Sequence, residues 1–337
     1  MKIRAIQFLE DRVAEFKELA PAAVQELVAS WEFCWVDIDI TGAKESEVKD
    51  LLEEKLEFHP LTVEDCYSSQ PYTPKADDYE DYQFYIFHYF TINQRTGEVE
   101  ARELNVYVGR NYVITVHRSE LAEFKEHMLP VPEYLQTTSE KPVMFLHHLL
   151  DIIVDAYISE LTHVQLLADR IEEMILAGRG IQSRMREREL MRNILTLRQS
   201  LNVMRRSILP ERAIVHGIMR KQHPEEEEEE AEAVRYLSDL IDQLERSLDI
   251  LEHERDALAN LMDLHITLVS NRTNEIIRIL TIITVILMPL NLIAGIYGMN
   301  FKYMPEIMHP AGYPMVLLLM GGIAAVLLYF FRKRGWI

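Results

Sequence analysis

Two long apolar runs dominate the last sixty residues of the chain. Ile279 to Ile296 carries no charged side chain, and at about eighteen residues it is long enough to cross a bilayer. Tyr313 to Phe331 is of spanning length as well. Upstream of the first run, Leu237, Ile241, Leu244, Leu248, Leu251, Leu258 and Met262 recur every three or four positions, and no Gly or Pro interrupts residues 231 to 288. That pattern predicts one helix over 231–297, a stalk about 100 Å long that runs into the first span. Before it, Val143, Leu146, Leu150, Ile153, Tyr157, Leu161, Val164 and Ile171 keep the same period. Gly178-Arg179-Gly180 breaks it. A second helix is expected from Ser183 to Ile208, with Met191, Ile194, Leu197, Leu201 and Met204 on its apolar side. The two form a helical hairpin within 141–230, and Pro210 and Pro224 punctuate a short helical piece between them.

The first 140 residues read differently. Lys2–Leu9, Phe33–Ile40, Tyr82–Ile92 and Glu103–His117 are rich in aromatic and β-branched residues, as strands are. Asn111 is expected to turn the last of these into a hairpin of Leu104–Val108 and Tyr112–Val116. Asp11–Ala29 and Ser46–Leu56 carry helical spacing, with Ser46 a candidate N-cap. The expected fold is an α+β domain, a mixed sheet flanked by helices, over 1–140. The helical hairpin follows over 141–230, the stalk over 231–297, a loop over 298–312, the second span over 313–331 and a basic tail over 332–337.

Charge sets the orientation. Arg332, Lys333 and Arg334 abut the second span, Arg272 and Arg278 precede the first, and the loop between them carries Lys302 against Glu306. Lys and Arg gather on the cytoplasmic flank, so both termini are expected inside the cell membrane of a multi-pass protein. Met1 to Glu18 has no long apolar core, so no signal peptide is expected.

Within the first span, Thr281, Thr284, Asn291 and Gly295 fall on one helical stripe. A Thr hydroxyl can bond the carbonyl one turn back, but an Asn amide has four hydrogen-bonding sites and lipid offers none a partner. The stripe faces either packed protein or water. Pro289 releases a backbone carbonyl in the same span.

Composition narrows the chemistry. Lys plus Arg number 35 against 54 Asp plus Glu, a net charge of −19, which argues against nucleic-acid binding. The six glutamates Glu225–Glu230 are either a solvated helix start or a cation-attracting surface. Cys34 and Cys66 lie in the part expected to be cytoplasmic, where disulfides are rare. There is no His-x-x-x-His or Cys-x-x-Cys spacing, no glycine-rich phosphate loop and no Gly-x-Ser-x-Gly elbow, so an enzyme is not expected.

Tyr297-Gly298-Met299-Asn300, followed by Phe301 and Met304-Pro305-Glu306, resembles the signature of the CorA-type magnesium transporters. So do Met288 to Ile296, Asn271-Arg272-Thr273-Asn274-Glu275 and Gly312-Tyr313-Pro314. Weaker matches lie at His59-Pro60-Leu61 with Glu64-Asp65 and at Thr73-Pro74-Lys75, where the family more often has Arg before Pro-Lys. The resemblance implies a homopentameric funnel in the bilayer that passes Mg2+, with Gly298, Met299 and Asn300 as the selectivity filter. It implies a regulatory Mg2+ between subunits, held by Asp65 and Asp239 with Glu64 beside them. Asp263, Ser270, Ile277, Thr284 and Asn291 lie seven apart, a spacing that keeps one face toward an axis. Asp263 is then a carboxylate ring at the inner mouth, or a plain surface acid, and Leu280 and Met288 are apolar constrictions. Arg332, Lys333 and Arg334 are candidates for the family's basic belt. Three readings follow: a magnesium channel that also takes cobalt or nickel; a zinc or other transition-metal transporter, proton-coupled or not; and a membrane-anchored scaffold without transport. Met299 favours the first, since transition-metal relatives more often have Ile there.

Overall fold

The structure is a computed structural model that describes residues 1–9, 12–68, 72–119, 132, 135, 138, 141–177, 184–222, 232–299, 304, 309 and 311–336. It divides into two compact units, Met1–Met262 and Asp263–Ile337.

Among its described residues the first unit holds seven strands: β1 (Lys2–Phe8), β2 (Val13–Phe16), β3 (Cys34–Asp39), β4 (Lys75–Asp78), β5 (Tyr82–Ile92), β6 (Val99–Gly109) and β7 (Tyr112–His117). They make one sheet in the order β2-β1-β3-β7-β6-β5-β4. Only β3 and β7 pair in parallel, so the sheet is mixed as expected. Three helical pieces lie among the strands: α1 (Pro21–Val28), α2 (Glu45–Lys49), which passes into a π-helical turn over Asp50–Lys55, and α3 (Pro60–Tyr67). Two long helices follow, α4 (Lys141–Leu176) and α5 (Arg184–Gln222). The helix α6 (Glu232–Tyr297) crosses the division at residue 262, and α7 (Gly312–Lys333) belongs to the second unit.

β3 is buried at all six positions, because the sheet is covered on both faces. On one face Val36, Ile38, Phe84, Tyr107 and Ile114 meet Val24, Leu51, Leu52 and Val63. On the other, the ring of Phe145 on α4 stands 6.2, 5.6 and 5.5 Å from those of Phe8, Phe33 and Trp35. A buried polar chain runs through the same layer. Trp35 Nε1 donates to Thr115 Oγ1 at 3.1 Å, Thr115 donates to Asp37 at 2.9 Å, and His117 Nε2 lies 3.2 Å from the same carboxylate oxygen.

Three expectations are corrected. The first half of the helix expected over Asp11–Ala29 contains β2, paired with β1 from Ala5↔Phe16 to Phe8↔Val13. An open sheet edge outweighs local helical spacing, and Pro21 at the first helical turn fixes where α1 begins. Ser46 caps nothing: α2 starts at Glu45 behind Lys44 without a side-chain cap, and the glutamates of the first turn favour the helix dipole instead. The two neighbouring side chains Leu51 and Leu52 are both fully buried, which the wider π turn permits. The third concerns Pro210, which does not end a helix, since α5 runs through it to Gln222. The ring forfeits one bond to the carbonyl of Arg206, and burial of Ile208, Val215 and Ile218 holds the helix regardless. The expected breaks at Gly178–Gly180 and Pro224, and the glutamate run 225–230, lie outside the described residues. β4, four residues long and rich in charge, reads as no element in sequence because a short charged edge strand lacks the alternating pattern.

Gly97, in the turn between β5 and β6, has φ +71°, and a Cβ there would meet Leu197 Cδ2 on α5 at 2.3 Å. Ser200 of α5 donates to its carbonyl at 2.8 Å, so the turn cannot move away freely. Gly97→Ala is expected to lower stability by about 1–3 kcal/mol, read as a fall in the thermal midpoint. Gly42, also left-handed but with open space around it, should lose less on the same change.

Among the described residues, three helices have the length and composition to cross a membrane. In α4 the most apolar window has mean hydropathy 1.3 and is 56 % buried, so that face belongs to the sheet. In α6 and α7 the values are 2.4 and 2.3 with only 6 % buried. Apolar surface left bare on that scale belongs in lipid or against other chains.

Candidate functional site

The second half of α6 is one uninterrupted apolar helix because nothing between Asp263 and Tyr297 breaks it except Pro289. Asp263, Ser270, Ile277, Thr284 and Asn291 are all exposed, and so is every residue from Asn271 to Leu280. Seven residues make nearly two turns, so these five side chains line one edge over about 42 Å. Thr284 donates to the carbonyl of Leu280 and Thr281 to that of Ile277, each at 2.8 Å. Their protons are thereby used, and what each hydroxyl presents outward is oxygen lone pairs. Leu280 is 63 % and Met288 71 % exposed, so neither is a core residue within its own chain. The edge thus offers oxygen and amide groups, with the large apolar side chains of Leu280 and Met288 exposed on the same helix.

At the end of α6 the Gly298 N–H bonds the carbonyl of Ala294 at 2.9 Å and the Met299 N–H that of Ile296 at 3.2 Å. Gly298 is not left-handed. Gly is favoured there by proximity, because a Cβ would sit 3.1 Å from the Ala294 carbonyl oxygen, a tight contact. The sequence motif therefore marks a close approach and not the left-handed cap that a terminal Gly suggests. Met299 is exposed. Asn300 lies outside the described residues.

The acids of the first unit fall on separate elements. Glu64 and Asp65 are on α3; Glu64 is exposed and Asp65 buried. Asp65 is no unpaired carboxylate: its Oδ2 is 2.7 Å from Lys75 Nζ, which also reaches Asp77 at 2.8 Å. Burial pulls the Lys75 ammonium down, yet the bonds to Asp65 and Asp77 outweigh it and leave it above its ordinary range. Thr73-Pro74-Lys75 thus supplies the counter-ion to the acid of the His59-to-Asp65 motif, a link that neither stretch discloses alone. Asp239 on α6 is exposed and accepts from Gln243 at 2.9 Å. Asp151 of α4 is a neighbour that sequence reading misses. Burial raises its pKa, the Gln243 side chain lowers it, and the charge of Asp239 raises it again. The Gln243 side chain thus bonds both carboxylates, which lie close enough to feel each other's charge. The signal of Asp151 in sequence is faint, one Asp on the exposed side of an apolar helix. No group of three or more His, Cys, Asp or Glu able to hold a metal exists among the described residues, so one chain does not complete a metal site there.

The tail is a structured cap. Gly335 has φ +70°, its N–H bonds the Arg332 carbonyl at 3.1 Å, and the Trp336 N–H bonds that of Phe331 at 3.0 Å. The rings of Phe331 and Trp336 stack at 5.6 Å. This is the Schellman arrangement with its hydrophobic contact. It fixes Arg332, Lys333 and Arg334 in the last turn, with Arg334 lying over Phe330 at 4.9 Å. Three cations there also complement the helix dipole.

Residues 30–333 match the model of the CorA-like Mg2+ transporter protein family. The chain is 33 % identical over 314 residues to a putative metal ion transporter, YfjQ, of Bacillus subtilis, covering 92 % of each. It is 31 % identical over 340 residues to the cobalt/magnesium transport protein CorA of Thermotoga maritima, covering 98 % of this chain and 92 % of that one. The complete structure of the CorA magnesium transporter from Methanocaldococcus jannaschii superposes with TM-score 0.79 at 24 % identity over 100 % of this chain and 99 % of that chain. Matched nearly end to end, in sequence and in fold, this chain belongs to the CorA-like Mg2+ transporter family and with it to the divalent metal ion transporters.

Proposed function

We propose that this chain forms a magnesium channel of the inner membrane, five copies surrounding a pore lined by the α6 edge. The observation that carries the reading is that edge: Asp263, Ser270, Ile277, Thr284 and Asn291, exposed and in register on a helix whose most apolar eighteen-residue window is fit for lipid. Two spans per chain cannot enclose water, so the path needs several copies. The two membrane helices are Glu232–Tyr297 in its second half and Gly312–Lys333. The first unit and both termini are cytoplasmic, in keeping with Arg332, Lys333 and Arg334.

Magnesium takes octahedral oxygen ligands and sheds water reluctantly. Neutral carbonyls of Asn291 and Asn300, with threonine oxygens between, hold a hydrated ion through its waters and let it go; carboxylate rings in the same places would hold it longer. Gly298 and Met299 shape the outer end beside Asn300. Asp263 concentrates cations at the inner mouth, and Leu280 and Met288 close the path by excluding water. Magnesium bound between neighbouring subunits, at Asp65 and Glu64 of one and Asp239 of the next with Asp151 beside it, holds the channel closed.

The test is magnesium flux into liposomes holding the purified protein, with internal magnesium varied. Flux is expected to fall as internal magnesium rises and to drop at least tenfold in Asn300→Ala and Asn291→Leu. Asp263→Asn should lower it several-fold, most at low ionic strength. Zinc flux driven by a proton gradient, with none of magnesium, would favour the transition-metal reading. No flux of any divalent ion from a folded sample would leave a membrane scaffold.

A further inference from the structure

β4 covers the outer edge of β5 only as far as the pairing Lys75↔Ile86. The residues of β5 whose backbone faces β4 are the even-numbered ones, as the bond from Tyr79 N–H to the Tyr82 carbonyl shows. The next of them beyond Ile86 is His88, where no strand is left to pair. Its N–H and C=O are met by two side chains instead. The N–H donates to Glu211 Oε1 of α5 at 3.0 Å, and the C=O lies 2.6 Å from Tyr157 Oη of α4. Tyr157 Oη is also 2.5 Å from Glu211 Oε2. Both side chains are buried, Tyr157 at 0 % and Glu211 at 2 % exposure.

The protons in this ring can be counted. The His88 carbonyl only accepts. Tyr157 has one hydroxyl proton and stands between two oxygens. If Glu211 were ionised, both oxygens would be acceptors, and one contact of 2.5–2.6 Å would be oxygen against oxygen with no hydrogen between. A second proton on Glu211 Oε2 resolves it: Glu211 donates to Tyr157, Tyr157 donates to the His88 carbonyl, and the His88 N–H donates back to Glu211 Oε1.

We infer that Glu211 is a proton-binding site, a neutral acid whose hydrogen locks α4 and α5 onto the uncovered edge of β5 and whose loss on alkalinisation opens the lock. Burial supports this, pushing the Glu211 carboxyl up to about 8, with the Tyr157 and His88 contacts pulling the other way. The groups around it do not titrate in that range. Burial holds His88 down at about 4, its Nδ1 lying 2.5 Å from Ser207 Oγ, and burial drives Tyr157 well above its usual value. The charged groups of the packed elements turn elsewhere. Arg212 reaches Glu245 of α6 at 3.6 Å, Lys221 pairs with Asp78 of β4, and Arg102 of β6 with Glu100 at 3.2 Å. Asp155 of α4 and His216 of α5 are exposed. The inference concerns the first unit alone and does not rest on the cation reading.

Glu211→Gln is the informative variant, because a side-chain amide donates to Tyr157 and accepts from His88 as the neutral acid does. Thermal or denaturant unfolding of the full-length protein in detergent is measured from pH 4 to pH 9 for both proteins. The native acid keeps its proton where the unfolded one, with its ordinary value of 4.5, has lost it. Wild-type stability relative to the variant is therefore full below about 4.5. It falls about tenfold in the folding equilibrium constant per pH unit up to about 8 and then levels. Parallel pH profiles for the two would overturn the inference. A second readout needs no variant to fold: difference infrared spectra of the wild type should contain a protonated-carboxyl band at pH 6 that disappears around pH 8. Absence of any such band at pH 6 would equally overturn it.

Discussion

Tyr157→Phe is expected to destabilise the protein by about 2–4 kcal/mol, a large loss for one oxygen atom. Tyr157 is fully buried and its ring packs 4.9 Å from that of Phe90, a contact that Phe keeps. What goes is the hydroxyl alone. Two buried groups are then left without partners, the His88 carbonyl and Glu211 Oε2, at roughly 1–3 kcal/mol each. Tyr85→Phe is the control. Its hydroxyl donates to Gln83 at 2.6 Å in a contact that is only part-buried, so water can take over and a loss below about 1 kcal/mol is expected. Urea unfolding of both variants in the same detergent decides between them. Equal small losses would mean that the Tyr157 hydroxyl is not the hub of the clamp. Glu211→Leu placed on Tyr157→Phe trades the orphaned Glu211 Oε2 for an orphaned His88 N–H, so no recovery is expected, but the double variant should lose less than the sum of the two single changes, a non-additivity that separate sites would lack.

The parts of the fold that were legible in the sequence are those written in a single period. The α6 helix reads directly from Leu237 to Met262 and on through the apolar run, because one unbroken pattern specifies it. The strands β1, β3, β5 and the β6–β7 hairpin follow for the same reason. The misreadings occur where a partner distant in sequence decides. Val13–Phe16 is a strand because β1 offers an edge; Lys75–Asp78 is one because β5 does. Pro210 sits inside a helix because its neighbours are buried against other elements. The site divides in the same way. The polar stripe of α6 is a matter of spacing on one helix, so the sequence displays it. The Asp65–Lys75 pair, the Asp151–Asp239 neighbourhood and the Glu211–Tyr157–His88 ring each join separate elements. No period in the chain connects residues 88, 157 and 211.

Lys75→Met should leave the fold intact but cost about 2 kcal/mol at neutral pH, and it should make the protein's stability depend on magnesium. Asp65 retains only 10 % of its side-chain exposure and Lys75 37 %. Removing one member of a fully buried pair costs about 3–5 kcal/mol because the other charge is stranded; solvent screening at the Lys75 end reduces that figure here. Met is unbranched and of similar length, and what it lacks is the ammonium, which also stands 5.9 and 5.7 Å from the ring centres of Tyr72 and Phe84, so the loss reports charge. A stranded Asp65 has two remedies, a proton or another cation. Protonation removes the stranded charge, so the variant's deficit should be small near pH 4 and grow as pH rises toward 7. The cation is magnesium, which no longer competes with an ammonium 2.7 Å away. Saturating it at about a hundred times its dissociation constant would restore about 2.7 kcal/mol. Thermal unfolding of wild type and variant, with and without magnesium at pH 5 and pH 7.5, separates these effects. A variant that loses stability equally at both pH values and gains nothing from magnesium would show that Lys75 serves packing alone. A variant stabilised by magnesium more than the wild type would mean that Lys75 occupies, within one subunit, a position that a divalent cation competes for, and that this ammonium sets the concentration at which Asp65 responds to the ion.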